Sequence, residues 1–324
     1  MAERRTSRVL DRTAMTAISV VMGVYNAAAT LAATIDSLLA QTEPDFECIV
    51  VDDGSTDATA AILAEYAARD SRIRVIRQEN AGLTRALIAG CTVARGVYIA
   101  RQDAGDLSDP RRFELQKRAL AADTAIAFVS AATQYAGPEL EPLYILRSTG
   151  AAIAPAFVLS HDARNRLADG PTHHGSVMFR RDAYERAGGY RPAFYYGQDF
   201  DLWYRLAEIG KFQILGEVLY TARITPDSIT GGARQQQERL GRLSRAALEA
   251  RERGEPEDSI LQAAARIRPV RSRAWCREAR GLYFIGEALR RNGDRRGRKY
   301  LRIAIARCPL LLPAWVRLIQ ALLS

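Results

Sequence analysis

The strongest constraint on this chain is an alternation, over its first half, of short β-branched runs with alanine-rich stretches joined by brief links. Ile18 to Tyr25 reads as a strand and Ala29 to Gln41 as a helix. Phe46 to Val51 and Thr56 to Arg69 repeat the pair, the second helix opened by a Ser/Thr/Asp cap. Strand Ile73 to Ile76, helix Leu83 to Ala94, strand Val97 to Ala100, a helix from Pro110 to Leu120 and strand Ile126 to Ser130 continue it. Strands that return in the same direction through helical crossovers make a largely parallel sheet with right-handed connections. The uncharged stretch Ala14 to Ile35 is broken by Asn26 and by Thr, Ser and Gly, so it fits a strand and a helix better than a membrane span.

The second half is less regular. Tyr135 to Gly170 shows no clear period. Order returns with strand Ser176 to Arg180, helices Asp182 to Ala187 and Asp199 to Ile209, and short strands Phe212 to Leu215 and Val218 to Thr221. After Gly231-Gly232 the pattern is helical to the end. There Leu261, Ala264, Pro269, Ala274 and Trp275 recur forty residues on as Leu301, Ala304, Pro309, Ala314 and Trp315. Such an echo resembles a degenerate tetratricopeptide-like pair leaning on the domain before it. The expected division is a basic N-terminus over 1–16, an α/β domain over 17–230 and a helical extension over 231–324.

Charge separates the same parts. The net charge is +9, yet residues 231–324 hold 21 Arg plus Lys against 9 Asp plus Glu, or +12, which leaves −3 elsewhere. The extension therefore either faces an anionic neighbour, such as a membrane surface, or carries solvated arginine-rich faces. The apolar segment Leu310 to Leu323 lies in a membrane interface or packs as the last helix. Cys48, Cys91, Cys276 and Cys308 have no paired spacing, which fits buried thiols in a reducing cytoplasm. Met1 to Thr16 lacks an apolar signal core, so export is not expected. With His161, His173 and His174 the only histidines, a histidine-rich metal site is not expected either.

Two acidic clusters close two of the strands: Asp52-Asp53-Gly54-Ser55-Thr56-Asp57, and Asp103-Ala104-Gly105-Asp106. Ligands of open α/β sheets bind beyond the carboxyl ends of strands. Carboxylates crowded there call for a cation or hydrogen-bond donors, and a metal-bound phosphate ester suits them.

Six blocks in order resemble the family 2 glycosyltransferases over about Ile18 to Thr230. They are Val24-Tyr25-Asn26-Ala27, Asp52 to Asp57, Asn80-Ala81-Gly82-Leu83-Thr84, Gly96 to Asp103, His174 to Arg180, and Gln198-Asp199-Phe200-Asp201-Leu202-Trp203. The resemblance implies a GT-A fold, a Rossmann-like and mostly parallel sheet flanked by helices. It also implies an inverting hexosyltransferase that takes sugar from a nucleotide-diphosphate donor, a UDP-sugar, with Mg²⁺ or Mn²⁺. Asp53 then reads the uracil, with Tyr25 and Asn26 as the pocket wall and Gly82 allowing close backbone approach. Asp103 binds the metal and diphosphate. Asp199 is the general base and Asp201 the second choice. His174, Arg180, Gln198 and Trp203 fall on the acceptor or sugar side, where His174 and Trp203 also read as core packing.

Three positions depart from the family pattern. Gly105 stands where a second carboxylate belongs, Thr225 where a histidine is common, and Ile88 where asparagine is common. Either Asp103 and Asp106 share the ion or it binds weakly. Arg101 or Arg223 is placed to add compensating charge. The acceptor implied is a cell-surface glycan or its lipid-linked precursor, met by a cytoplasmic enzyme peripheral to the inner membrane face, with no nucleic-acid partner. The competing reading is a catalytically weak sugar-nucleotide binder or assembly protein that works through its helical extension.

Overall fold

The computed structural model describes residues 16–148, 161–162, 167–168, 170–226, 234–267 and 275–323. Strands β1 (Ile18–Val24), β2 (Phe46–Asp52), β3 (Ile73–Arg77) and β4 (Tyr98–Arg101) pair in parallel in the order β3-β2-β1-β4. Helices α1 (Leu31–Leu39), α2 (Thr59–Arg69) and α3 (Leu83–Thr92) make the crossovers. Successive side chains of a strand point to opposite faces. Val21, Ile49, Val51 and Ile99 accordingly meet Ala86 and Leu87 of α3. Val20, Met22 and Val50 meet Leu31, Ile35 and Leu38 of α1 and Leu63 of α2. Burial on both faces explains why these strands read as continuous apolar runs. The uncharged stretch around residues 18–35 is thus β1 and the start of α1. Among the described residues no helix is long and apolar enough to cross a membrane.

Beyond β4 the sheet becomes mixed. Short β5 (Leu107–Ser108) and helix α4 (Arg112–Ala122) lead to β6 (Ile126–Ala136) and β7 (Pro142–Ser148), with β8 (His161–Asp162) and β9 (Leu167–Ala168) at the far edge. β10 (Met178–Arg180) inserts antiparallel between β4 and β6. It is followed by α5 (Arg181–Arg186) and α6 (Gln198–Ile209). The two short strands expected between Phe212 and Thr221 are one strand, β11 (Lys211–Arg223), parallel to β6 and irregular in register between Leu215 and Tyr220. The irregularity breaks the period-two pattern, which is why the sequence splits there. β10 brings the turn that precedes it, and β11 brings its last residue, toward the carboxyl end of β4 and the Asp106 turn.

The extension consists of two helical blocks. α7 (Arg234–Glu252) packs on α6 and α8 (Asp258–Ala265) packs on α7, with Leu240, Ala264 and Ile267 around the buried Phe194. α9 (Trp275–Arg291), α10 (Gly297–Arg307) and α11 (Leu312–Leu323) share a core with Leu143 of β7. The echoed Leu261 and Ala264 of α8 take inward positions, as do Leu301 and Ala304 of α10. The expected boundary at 230 and the echoed Pro269 and Ala274 lie outside the described residues. Cys48, Cys91 and Cys308 are buried.

Candidate functional site

The Asp103–Asp106 turn leaves β4 and closes on itself through the Asp106 amide, which donates to the Asp103 carbonyl over 3.2 Å. Gly105 has φ +100°, and its amide donates to Thr34 Oγ1 over 3.0 Å. A Cβ at Gly105 would lie 3.3 Å from Thr30 Oγ1, so a side chain there faces α1. The carboxylate absent from position 105 is supplied one residue later. Oxygens of Asp103 and Asp106 and a nitrogen of His173 all lie within 4.8 Å of one another. His173 Nδ1 stands 3.8 Å from Asp103 Oδ2 and 3.7 Å from Asp106 Oδ2. It also accepts from the Gly175 amide over 3.1 Å, so a metal at Nδ1 would take that bond's place.

Several side chains hold this cluster. Tyr220 donates to Asp106 Oδ2 over 2.8 Å, accepts from the Asp103 amide over 3.1 Å, and stacks its ring on His173 at 5.3 Å. Gly175 leaves room for that hydroxyl, since a Cβ there would come within 1.9 Å of it. Arg101 is completely buried and donates to Asp103 Oδ1 over 2.5 Å and to the carbonyls of Val21 and Gln102. Behind it, the equally buried Arg112 bonds to Gln102, Ser108, Gln116 and the Arg101 carbonyl. The Arg223 amide donates to Asp106 Oδ1 over 2.8 Å. Of the two arginines read as sources of compensating charge, Arg101 meets the acid pair with its guanidinium, whereas Arg223 meets it with its backbone amide and donates Nη1 to the Pro138 carbonyl.

The electrostatics follow from crowding. Burial raises the Asp106 carboxyl well above its usual range, and the neighbouring Asp103 carboxylate adds to the rise. At Asp103 burial acts in the same direction, but the Arg101 guanidinium bonded to it works against burial, and that carboxyl lies below its usual value. Burial lowers His173 and pushes His174 down to about 3, so both imidazoles are neutral near pH 7. A buried carboxylate at Asp106, a half-buried one at Asp103 and a neutral imidazole are a donor set that fits a hard-to-borderline divalent ion.

At the other end of the sheet edge, Asp53 is buried, and Gln78 Nε2 and the amides of Ala81 and Gly82 donate to it over 2.7, 2.9 and 2.8 Å. Oδ2 carries one of these bonds and keeps acceptor capacity. Gly82 has φ +90°, and a Cβ there would meet the Tyr195 ring at 2.7 Å. The close approach expected at Gly82 is thus made by Tyr195, which the sequence reading did not single out. Asn26, at φ +50°, accepts from the Thr56 amide over 2.8 Å and so ties the two loops. Asp57 likewise accepts from the amides of Ala28 and Thr59, so the expected helix cap serves as a loop clasp. Tyr25 beside them is 51% exposed, an aromatic face left open to solvent.

Asp199 sits in the first turn of α6, half-buried, with Oδ1 accepting from the Phe200 amide over 3.0 Å. Burial pushes its carboxyl up to about 6, and the fields of Asp103 and Arg101 both reach it. Gln198 is buried at the helix start. Asp201 is buried in an ion pair with Arg205 at 2.5 Å and is not placed to accept a substrate proton. Trp203 is buried in the core, with edge contacts to His174 and Phe200. His174 is the packed member of the histidine pair, bonded to the Tyr190 hydroxyl over 2.8 Å, while His173 faces the acids. Arg180 is not brought to the cluster: it pairs with Tyr98, the start of β4, and donates to the carbonyls of Leu120, Asp123 and Ile126. Ile88 packs in the core, and Thr225 lies just past β11.

Residues 19–188 match the family model described as glycosyl transferase family 2. Among relatives, "Putative glycosyltransferase EpsE" of Bacillus subtilis is 37% identical over 65% of this chain and 74% of its own. A chondroitin synthase of Pasteurella multocida is 26% identical over 65% of this chain but only 21% of its own, so this chain spans about a fifth of that protein. In structure the chain is similar to S. aureus TarS 1-349 in complex with UDP, with TM-score 0.54 and 14% identity over 94% of this chain and 88% of that one. The same protein in complex with UDP-GlcNAc gives TM-score 0.53 and 15% identity over 94% and 89%.

Proposed function

The chain belongs to glycosyl transferase family 2, and from that premise we propose that it moves a sugar from a UDP-sugar to a hydroxyl of a growing glycan or its lipid-linked precursor, with inversion. The observation that supports this reading is that Asp199, in the first turn of α6, feels the charges of Asp103 and Arg101, while Asp103 gathers with Asp106 and His173. TarS, similar in fold, is named in complex with UDP and with UDP-GlcNAc.

In this mechanism Asp53 accepts from the uracil N–H through its remaining lone pairs, and Tyr25 covers the base. Asp103, Asp106 and His173 would hold Mg²⁺ or Mn²⁺, which supplies charge neutralisation for the departing diphosphate. Arg101 adds a fixed positive charge behind Asp103, where no reorganisation is needed as the leaving group gains charge. Asp199 takes the proton of the acceptor hydroxyl as its oxygen attacks the anomeric carbon opposite the phosphate. A carboxyl pushed up to about 6 suits that task near neutral pH.

One observation favours a second reading, a weakly catalytic sugar-nucleotide binder acting through its helical extension. Arg101 already engages Asp103 Oδ1 and partly stands in for a cation. A thermal-shift panel of nucleotide sugars with and without Mn²⁺ tests the leading reading, together with detection of released UDP. It expects a shift specific for a UDP-sugar, larger with Mn²⁺, and release of UDP. A shift with no UDP release from any donor supports the binder, and no shift with any nucleotide sugar refutes both.

A further inference from the structure

The last helix carries an apolar face that the protein does not cover. Ala314, Leu318 and Ala321 of α11 are buried, the first two in the core shared with α9 and α10. On the opposite side Leu312, Trp315, Val316, Ile319 and Leu322 are between 44% and 69% exposed, and Leu310 just before the helix is 81% exposed. At 3.6 residues per turn these five positions fall within an arc of about 120°. The Trp315 indole N–H already donates to the Pro309 carbonyl over 2.9 Å, so its polar edge is satisfied while its ring stays outside.

Charge on the same unit indicates what covers that face. From Trp275 to Leu323 there are 11 Arg plus Lys against 3 Asp plus Glu. All three acids are ion-paired: Glu278 with Arg307, Glu287 with Arg290, Arg291 and Arg317, and Asp294 with Arg296. The preceding block, residues 234–267, is nearly balanced at 7 basic against 6 acidic. The positive surplus of the extension's described part is thus concentrated on the helices that expose the stripe. A second copy is disfavoured as the occupant, because stripe-to-stripe contact would bring two strongly positive units together. A helix of 12 residues is too short to span a bilayer but has the form of an interfacial one, with a tryptophan suited to headgroup depth.

We propose that α11 docks the protein on an anionic lipid surface, its Leu312–Trp315–Val316–Ile319–Leu322 face at the acyl boundary and the arginines of α9–α11 against lipid phosphates. The assignment rests on the extension alone. A protein that released UDP from its donor yet ignored vesicles would refute docking and leave sugar transfer standing.

The test uses the full chain and sedimentation with phosphatidylglycerol-containing or pure phosphatidylcholine vesicles, with solution mass measured in parallel. Docking expects binding at least about tenfold tighter to the anionic vesicles, weakened by salt. Ile319→Asp and, separately, Leu322→Asp should each reduce it by about tenfold or more without changing UDP release. Both positions are exposed, and a variant's fold is checked by its nucleotide-sugar thermal shift. Equal binding to neutral vesicles, anionic binding unaffected by either variant, or no vesicle binding would overturn the proposal. So would concentration-dependent dimers abolished by Ile319→Asp, or an acidic protein bound in preference to lipid.

Discussion

The hydroxyl of Tyr220 donates to Oδ2 of Asp106 over 2.8 Å, from a strand more than a hundred residues away in sequence. The Tyr220 hydroxyl oxygen also accepts from the backbone amide of Asp103 over 3.1 Å, so one side chain holds the Asp106 carboxylate and the backbone at Asp103.

Tyr220→Phe therefore removes a donor from a buried carboxylate and an acceptor from a partly buried amide. The expected cost is about 1–3 kcal/mol of folding stability, with weaker binding of Mn²⁺. Denaturant titration and metal titration followed by calorimetry check the two parts. Unchanged metal affinity would show that Tyr220 does not orient the cluster.

Gly105→Asp restores the acid that the family pattern would place there, and the structure expects no benefit from it. At φ +100° a non-glycine residue is strained by about 1–3 kcal/mol, and the new side chain faces Thr30, just before α1. The variant should be less stable and bind Mn²⁺ no more tightly than the parent. A gain in metal affinity would mean that the turn rearranges.

Arg101→Met leaves Asp103 without its buried counter-charge. Asp103 is 27% exposed, so the loss should fall below the ~3–5 kcal/mol of a fully buried pair yet above the ~1 kcal/mol of a surface one, which denaturant unfolding would register. A loss below about 1 kcal/mol would match an exposed pair instead and contradict the buried geometry.

The pH profile reports on Asp199. Its carboxyl is pushed up to about 6 by burial, and a general base works only when deprotonated. UDP release should be level above the pKa and fall about tenfold per pH unit well below it, as the carboxylate fills with its proton. A profile that stays flat to the usual aspartate range would mean Asp199 is not the group that titrates.

The parallel half of the fold was legible because its strands are buried on both faces and its helices are amphipathic, so period and composition agree from Ile18 to Arg101. β11 was misread as two strands because its register shifts between Leu215 and Tyr220. At the site, local motifs carried Asp53, Asp103, Asp106 and Asp199 into view. His173 was missed in favour of its neighbour, because two adjacent histidines look alike until a turn decides which one faces the acids. Tyr220 and Tyr195 reach the site only through long-range packing, and no spacing in the sequence announces that. Arg180 looked functional by its motif, but the antiparallel run of β10 carries it to the start of β4, away from the cluster.

The most direct test of the account is UDP release from the best-binding UDP-sugar by Asp199→Asn beside the parent protein. The substitution keeps the size of the side chain and removes the base. The account predicts a donor-induced thermal shift like the parent's, with UDP release reduced by about a hundredfold or more. Release at the parent's rate, with the donor bound equally well, would contradict it.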